Sequence, residues 1–348
     1  MATERSHSQI AGLSVVGILL VVLAAGWLLA TPSDEYVLLP DTPHRADAVV
    51  SVGGVKPTIA RDGSGIYYLD VLVHRASLPE SWLTRFEDAG TVLPAAEIVP
   101  PGGSQTDLDR VDHLTFADSR TVAGVVALRA LGHKVRVEYA GVTFDGVDSS
   151  APSWRAGLRP GMVITAIDGV STPRLSTLTA EMKGRKPGDP IHLSVLDGTK
   201  KLELHTTLTR DPDQASRAII GVLGVHDAPP RAQLPVKVTI TPRGLGRGPS
   251  AGLAFTLEVY DALSGHRLAK GRKIAVTGTI DLDGNVGPIG GVKQKVIGAV
   301  REHADLVLVP VANAADARAA ADGRITVIAV STFSGALRAL GAKPLPAS

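Results

Sequence analysis

The sequence predicts an α+β multidomain chain, with an N-terminal transmembrane helix, a β-rich middle module with short helices, and a C-terminal α/β domain. Three observations predict it. Residues Ile10–Ala30 form an almost wholly apolar run, and no charge occurs from Ser8 to Ser33. Short alternating strands separated by turn residues fill the stretch 129–212. Strand-like and helix-like segments then alternate from 213 to 346, the pattern of layered α/β packing.

The apolar run comes first. Twenty-one residues at a rise of about 1.5 Å each are enough to cross a hydrocarbon core of about 30 Å. The competing reading is a cleaved signal peptide, whose apolar region is only about 7–15 residues long. The expected arrangement is a short cytoplasmic leader (1–9), a single-pass anchor in the cell membrane (10–30) and the bulk of the chain extracytoplasmic. The 348 residues carry a net charge of +2 and no cysteine. Disulfides and thiolate catalysis are thereby excluded, and nothing in the charge pattern points to nucleic acid. No G-x-x-x-x-G-K-[ST] phosphate loop and no H-E-x-x-H occur, so neither nucleotide, metal nor cofactor is expected.

Residues 31–128 read as an irregular region with short strands at Tyr36–Leu39 and Gly65–Leu69, broken at Pro100–Gly103. A helix is predicted from about Asp118 to Leu131, with Ser119 placed to cap it and Gly132 to end it.

The middle module, 129–212, holds the alternating run Val135–Tyr139, a second strand at Gly141–Phe144, and Ile191–Leu196 turning at Asp197-Gly198. Between them stands Ala156-Gly157-Leu158-Arg159-Pro160-Gly161-Met162-Val163-Ile164, then Ile167-Asp168-Gly169. This resembles a PDZ domain of the bacterial type, with Met162 in place of the usual Asp. The resemblance implies capture of extended peptides by strand addition to a sheet edge. It places the receiving edge at Gly141, Val142, Thr143 and Phe144, with Tyr139 and Ala140 in a carboxylate-binding loop. A module that only packs against its neighbours is the alternative.

In the last domain, Gly248-Pro249-Ser250-Ala251-Gly252 fits G-x-S-x-G. A hydrolase elbow requires a strand before the serine and an acid and a histidine after it. The preceding Pro242–Arg247 is loop-like, and His266 and His303, the histidines that follow, sit in a polar turn and near a helix end. A lysine offers another base. Free in water it titrates near 10.4 and must fall to about 7–8 to accept a proton at neutral pH; burial and a helix N-terminus both push that way. Lys293 lies 43 residues after Ser250, in the first turn of a helix opening at Gly291, among Ile289, Val292 and Val296. Lys295, roughly 200° further around the helix, reads as a solvated surface charge.

The two motifs, with Thr277-Gly278 and Pro288-Ile289-Gly290-Gly291-Val292-Lys293, resemble the proteolytic domain of Lon proteases, and the order anchor, PDZ module, Lon-type domain resembles membrane-bound Lon-like proteases that contain PDZ domains. The resemblance implies a serine endopeptidase with a Ser-Lys dyad: Ser250 as nucleophile, Lys293 as general base, and Thr277 holding the lysine amine. Gly248, Ala251 and Gly252 would support close approach of a substrate backbone, with the amides of Ser250 and Ala251 near the oxyanion. Arg247 and Thr279 depart from the family's Asp and Glu. Without an ATPase segment, the implied activity is independent of ATP, on unfolded or extended protein substrates, in a homo-oligomeric ring. The alternative from another class is a catalytically silent PDZ scaffold that binds peptides at the membrane.

Overall fold

The computed structural model describes residues 26–27, 31–55, 60, 62–98, 119–241 and 248–342. They fall into two bodies, one comprising residues up to Pro40 together with Leu72–Ile98, the other Asp41–Val71 together with the chain after Ile98. The expected anchor lies outside the described residues except for Gly26 and Trp27. Among the described residues no helix is long and apolar enough to cross a membrane. The region 31–128, expected as one unit, is thus shared between two bodies.

The smaller body is a three-stranded sheet in which Pro32–Pro40 lies between Val71–Ser77 and Thr91–Pro94. Val37 and Ala76 are fully buried there. A helix, Leu78–Thr84, opens with a reciprocal capping box between Ser77 and Glu80 and a proline in its first turn.

The larger body contains a five-stranded sheet and a PDZ-like sheet. Strand β1 (Gly65–Tyr68) contributes to the first from far upstream. The second contains β2 (Val142–Val147), β3 (Val163–Ile167), β4 (Pro190–Asp197), β5 (Lys200–Thr207) and β6 (Val222–Asp227), with helix α1 (Leu175–Met182) between β3 and β4 in sequence. Its order is β5-β4-β3-β2-β6, so β6, beyond the expected limit at 212, is an edge strand paired antiparallel to β2. The helix before this module runs from Ser119 to Ala130 among the described residues, and Gly132 (φ 85°) closes it while His133 N donates to Leu128 O.

Downstream come α2 (Gly252–Ser264), β7 (Lys273–Val276), α3 (Val292–Arg301), β8 (Leu306–Pro310), α4 (Ala314–Ala321), β9 (Thr326–Val330) and α5 (Phe333–Ala339). The sheet order is His44–Arg45, β1, β7, β8, β9, with β1, β7, β8 and β9 parallel. Such a sheet buries both faces, and side chains alternate between them. Ile274, Val276, Leu306 and Leu308 join the core of α2 and α5; Ala275, Val307 and Val309 join that of α3 and α4. The first core takes up Leu253, Ala254, Phe255, Leu257 and Val259, so α2 is buried nearly all round.

Candidate active site

The serine turn is built at the carboxyl end of β7, where ligand sites in parallel sheets gather. Pro249–Ala251 form one 3-10 turn that runs into α2, and proline suits a first helical turn because its missing N–H is not needed there. Gly278 N donates to Ser250 O (2.7 Å), the fully buried Thr277 Oγ1 donates to the same carbonyl (3.2 Å), and Gly278 O accepts from Leu253 N (3.0 Å). The nucleophile candidate is therefore pinned through its backbone to the strand end, leaving its side chain partly exposed. Thr277 holds this carbonyl and not a lysine amine, which corrects the role expected of it.

Gly252 sits against Ile280, where a Cβ would stand 3.2 Å from Cγ2. Gly248 has open space around it and Ala251 is buried. Arg247 lies outside the described residues. Thr279 opens a short hairpin strand paired with Gly287.

The lysine expectation is corrected. Lys293 is exposed, whereas Lys295 is only 3% exposed and its Nζ lies 2.7 Å from Ser250 Oγ. Helix phase explains the difference: Val292, Val296 and Ala299 are buried, and Lys295 falls on that i, i+3, i+4, i+7 stripe while Lys293 does not. The apolar stripe was the sequence signal that identifies the inward lysine. Gly291 (φ 64°) caps α3 on its N-terminal side in the left-handed region, and a Cβ there would come within 2.9 Å of Val71. Burial lowers the Lys295 pKa from 10.5 to about 8, against a smaller opposing effect of the Asp70 carboxylate. Asp70, at the end of the β1 segment, is itself pushed up by burial, with Val71 N donating to its Oδ1 (2.8 Å).

Neither histidine forms a triad. His266 accompanies Asp261 at the far end of α2 (3.8 Å), about 20 Å along a helix of this length from Ser250. Among the described residues no group of three or more His, Asp or Glu side chains is placed to hold a metal ion.

The expected peptide edge is also corrected. Strand β2 is paired on both sides, with β3 and β6, and Val142, Thr143 and Phe144 are buried. Gly141 is needed for packing, since a Cβ would stand 2.6 Å from Ile164 O. Tyr139 lies under the Arg174 guanidinium, 4.0 Å from the ring centroid, and Ala140 is only half-buried beside it. The edge strand is β6. Asp227 at its end accepts from Leu175 N (2.5 Å) and pairs with Arg174 (3.5 Å), which ties β6 to the start of α1. A groove of about 890 Å³ runs along α1 and the segment entering β6, lined by Leu175, Leu178, Met182, Ile220, Val222 and Val225 with Lys183, Lys186 and Arg217 at its rim. The signal missed in the sequence was Ile219-Ile220-Gly221-Val222, an apolar–glycine–apolar turn into a strand outside the expected module; Gly221 has φ 86°.

Comparison with known proteins finds two matched segments, both in the larger body. Residues 238–338 match the family model of the Lon protease (S16) C-terminal proteolytic domain, and 129–208 match that of the PDZ domain. The Lon protease of Roseiflexus castenholzii is 48% identical over 71 residues, covering 20% of this chain and 9% of that protein. Lon protease 2 of Bacillus subtilis is 39% identical over 90 residues, covering 26% and 16%. The crystal structure of the PDZ domain of an SdrC-like protein from Listeria monocytogenes is 26% identical, covers 25% of this chain and 90% of that one, and has a TM-score of 0.23. The chain spans less than a fifth of the length of these Lon relatives. This mixed α/β chain therefore combines a segment similar to PDZ domains with a segment similar to the Lon C-terminal proteolytic domain.

Proposed function

We propose that the chain is a membrane-anchored serine endopeptidase that cleaves unfolded or extended protein segments with a Ser250–Lys295 dyad and without ATP. The observation that carries this reading is the 2.7 Å approach of a buried lysine amine to the hydroxyl of a serine held at a helix-opening turn. Neutral Lys295 accepts the Ser250 hydroxyl proton as Oγ bonds to the scissile carbonyl carbon. The ammonium so formed returns that proton to the leaving amine as the C–N bond breaks. Water then adds to the acyl carbon as Lys295 takes its proton, and that proton passes to Ser250 Oγ as the acyl–oxygen bond breaks, restoring the neutral amine and the free hydroxyl. Backbone amides of the first turn lack acceptors within their own helix and favour negative charge, so those of Ser250 and Ala251 are suited to stabilise the oxyanion.

Substrate selection belongs to the groove between α1 and β6. An extended peptide would add to the β6 edge, seat apolar side chains against Leu175, Leu178 and Met182, and present its carboxylate end to the cationic rim. Residues 10–30 supply the anchor, with the bulk of the chain extracytoplasmic, and a homo-oligomeric ring is the assembly suggested by the Lon relatives.

The test is casein digestion by the purified full chain in detergent without nucleotide. Ser250→Ala and Lys295→Met should each abolish cleavage while Lys293→Met retains it. Full activity in the Lys295 variant, with an unchanged circular dichroism spectrum, would sink the dyad.

A further inference from the structure

The Leu78–Thr84 helix of the smaller body is inverted with respect to its own sheet. It buries Ser81 and Thr84 and turns outward Leu78 (45% exposed), Trp82 (59%), Leu83 (53%) and, just beyond its end, Phe86 (72%). The inward side is held by polar contacts: Ser81 Oγ donates to Glu35 Oε2, and Arg85 pairs with Glu35 Oε1 (2.5 Å). The outward side is ordered too, with the Trp82 and Phe86 rings edge-to-face at 4.9 Å. Helices of soluble bodies normally direct the apolar stripe inward, and a clustered exposed patch marks a surface that something covers.

The position of the patch identifies the cover. Leu78 N, at the start of the helix, donates to Thr31 O (3.2 Å), and Thr31 Oγ1 donates to Trp27 O (2.8 Å). Thr31 directly follows the apolar run Ile10–Ala30, and Trp27 is itself 69% exposed. The aromatic helix therefore begins where the 21-residue apolar segment ends. From Leu78 to Phe86 the exposed stripe extends about 12 Å along the helix, while the interfacial layer on each side of a bilayer is only about 5–7 Å deep. Lying in the membrane plane, the helix would keep all four side chains within that layer, the depth that tryptophan favours.

We infer that this face docks in the lipid interface and holds the smaller body flat against the bilayer; the inference rests on the reading of residues 10–30 as a membrane anchor. Beside the patch Arg75 pairs with Asp34 (2.8 Å) and Arg85 with Glu35 (2.5 Å), and Glu87 and Asp88 follow Phe86; this balance matches a zwitterionic surface better than an anionic one.

The experiment reconstitutes the full chain into phosphatidylcholine vesicles with brominated acyl chains. Trp82 is left as sole tryptophan by Trp27→Phe and Trp154→Phe; a companion keeps Trp27 alone. Expected is a fall of Trp82 emission to below about half of that in unbrominated vesicles, with loss of the effect when phosphatidylcholine is replaced by detergent. Quenching of Trp27 without quenching of Trp82 overturns the docking while leaving the anchor intact. Quenching of neither overturns both. Shielding of Trp82 from aqueous acrylamide without quenching by brominated lipid assigns the face to a second copy of the chain and overturns the proposal.

Discussion

Lys295 Nζ stands 2.7 Å from Ser250 Oγ, although one side chain comes from α3 and the other from the turn that opens α2, helices whose cores lie on opposite faces of one sheet. Helix α2 packs against one face and α3 against the other, and both begin near the carboxyl ends of the central strands. The pairing therefore depends on the sheet's position between them. Removing a general base typically costs a factor of about 10²–10⁴, so Lys295→Met should lower kcat by that amount. Lys293→Met, on the solvent side of the same helix, should stay within about twofold, measured on an unstructured fluorogenic peptide.

The pH dependence follows from the burial of the lysine. With Lys295 as the proposed base, activity requires its neutral amine, whose pKa is lowered to about 8, so kcat/KM should rise through about pH 8 and level above it. The Asp70 carboxylate holds that pKa up. Asp70→Asn removes the opposing charge and should move the rising limb to lower pH, with kcat at high pH nearly unchanged. A limb that does not move would show that Asp70 has no electrostatic hold on the base.

The same burial weakens the fold. A depression from 10.5 to about 8, at about 1.4 kcal/mol for each tenfold change, corresponds to roughly 3 kcal/mol against the folded ammonium. The sign follows from proton binding. Below about pH 8 both states are protonated and the cost is fully present; between about 8 and 10.5 only the unfolded chain binds the proton, so stability rises with pH. Lys295→Met should accordingly stabilise the inactive protein by up to about 3 kcal/mol at pH 7, an advantage that fades by pH 10.5. Urea unfolding at pH 7 and pH 10 measures it.

The groove of α1 and β6 gives a separate expectation. Met182→Asp places a carboxylate on its apolar wall, where an extended peptide would bury it. Peptide affinity should drop at least about tenfold, or about 1.4 kcal/mol, measured by fluorescence anisotropy. Substituting Thr143→Val, on a strand already paired on both sides, should leave affinity unchanged.

Glycine and proline made much of the architecture legible in advance. Gly132 ends its helix as read, Gly291 opens α3, and the Gly248–Gly252 motif is a turn feeding a helix. Each is a local backbone requirement, carried by the residue that satisfies it. Strands β7, β8 and β9 were equally readable, because buried parallel strands are continuous apolar runs.

The misreadings concern side chains whose meaning depends on what is packed beside them. Lys293 and Lys295 have the same chemistry and stand two positions apart; helix phase against a core separates them, and the stripe Val292, Val296, Ala299 carried that information unread. The PDZ edge failed for a different reason. Gly141–Phe144 has the pattern of a peptide-receiving strand, but β6, about eighty residues later, already occupies its edge, and no local pattern reports a distant pairing. By itself the sequence determined the serine turn, the helix it feeds, strands β7 to β9 and the presence of lysines at the opening of α3, since these follow from short-range backbone preferences and motif spacing. Only the tertiary structure decided which lysine loses its water, which strand remains at the sheet edge and which helix turns its aromatic face outward, because burial and pairing are properties of segments brought together across the chain.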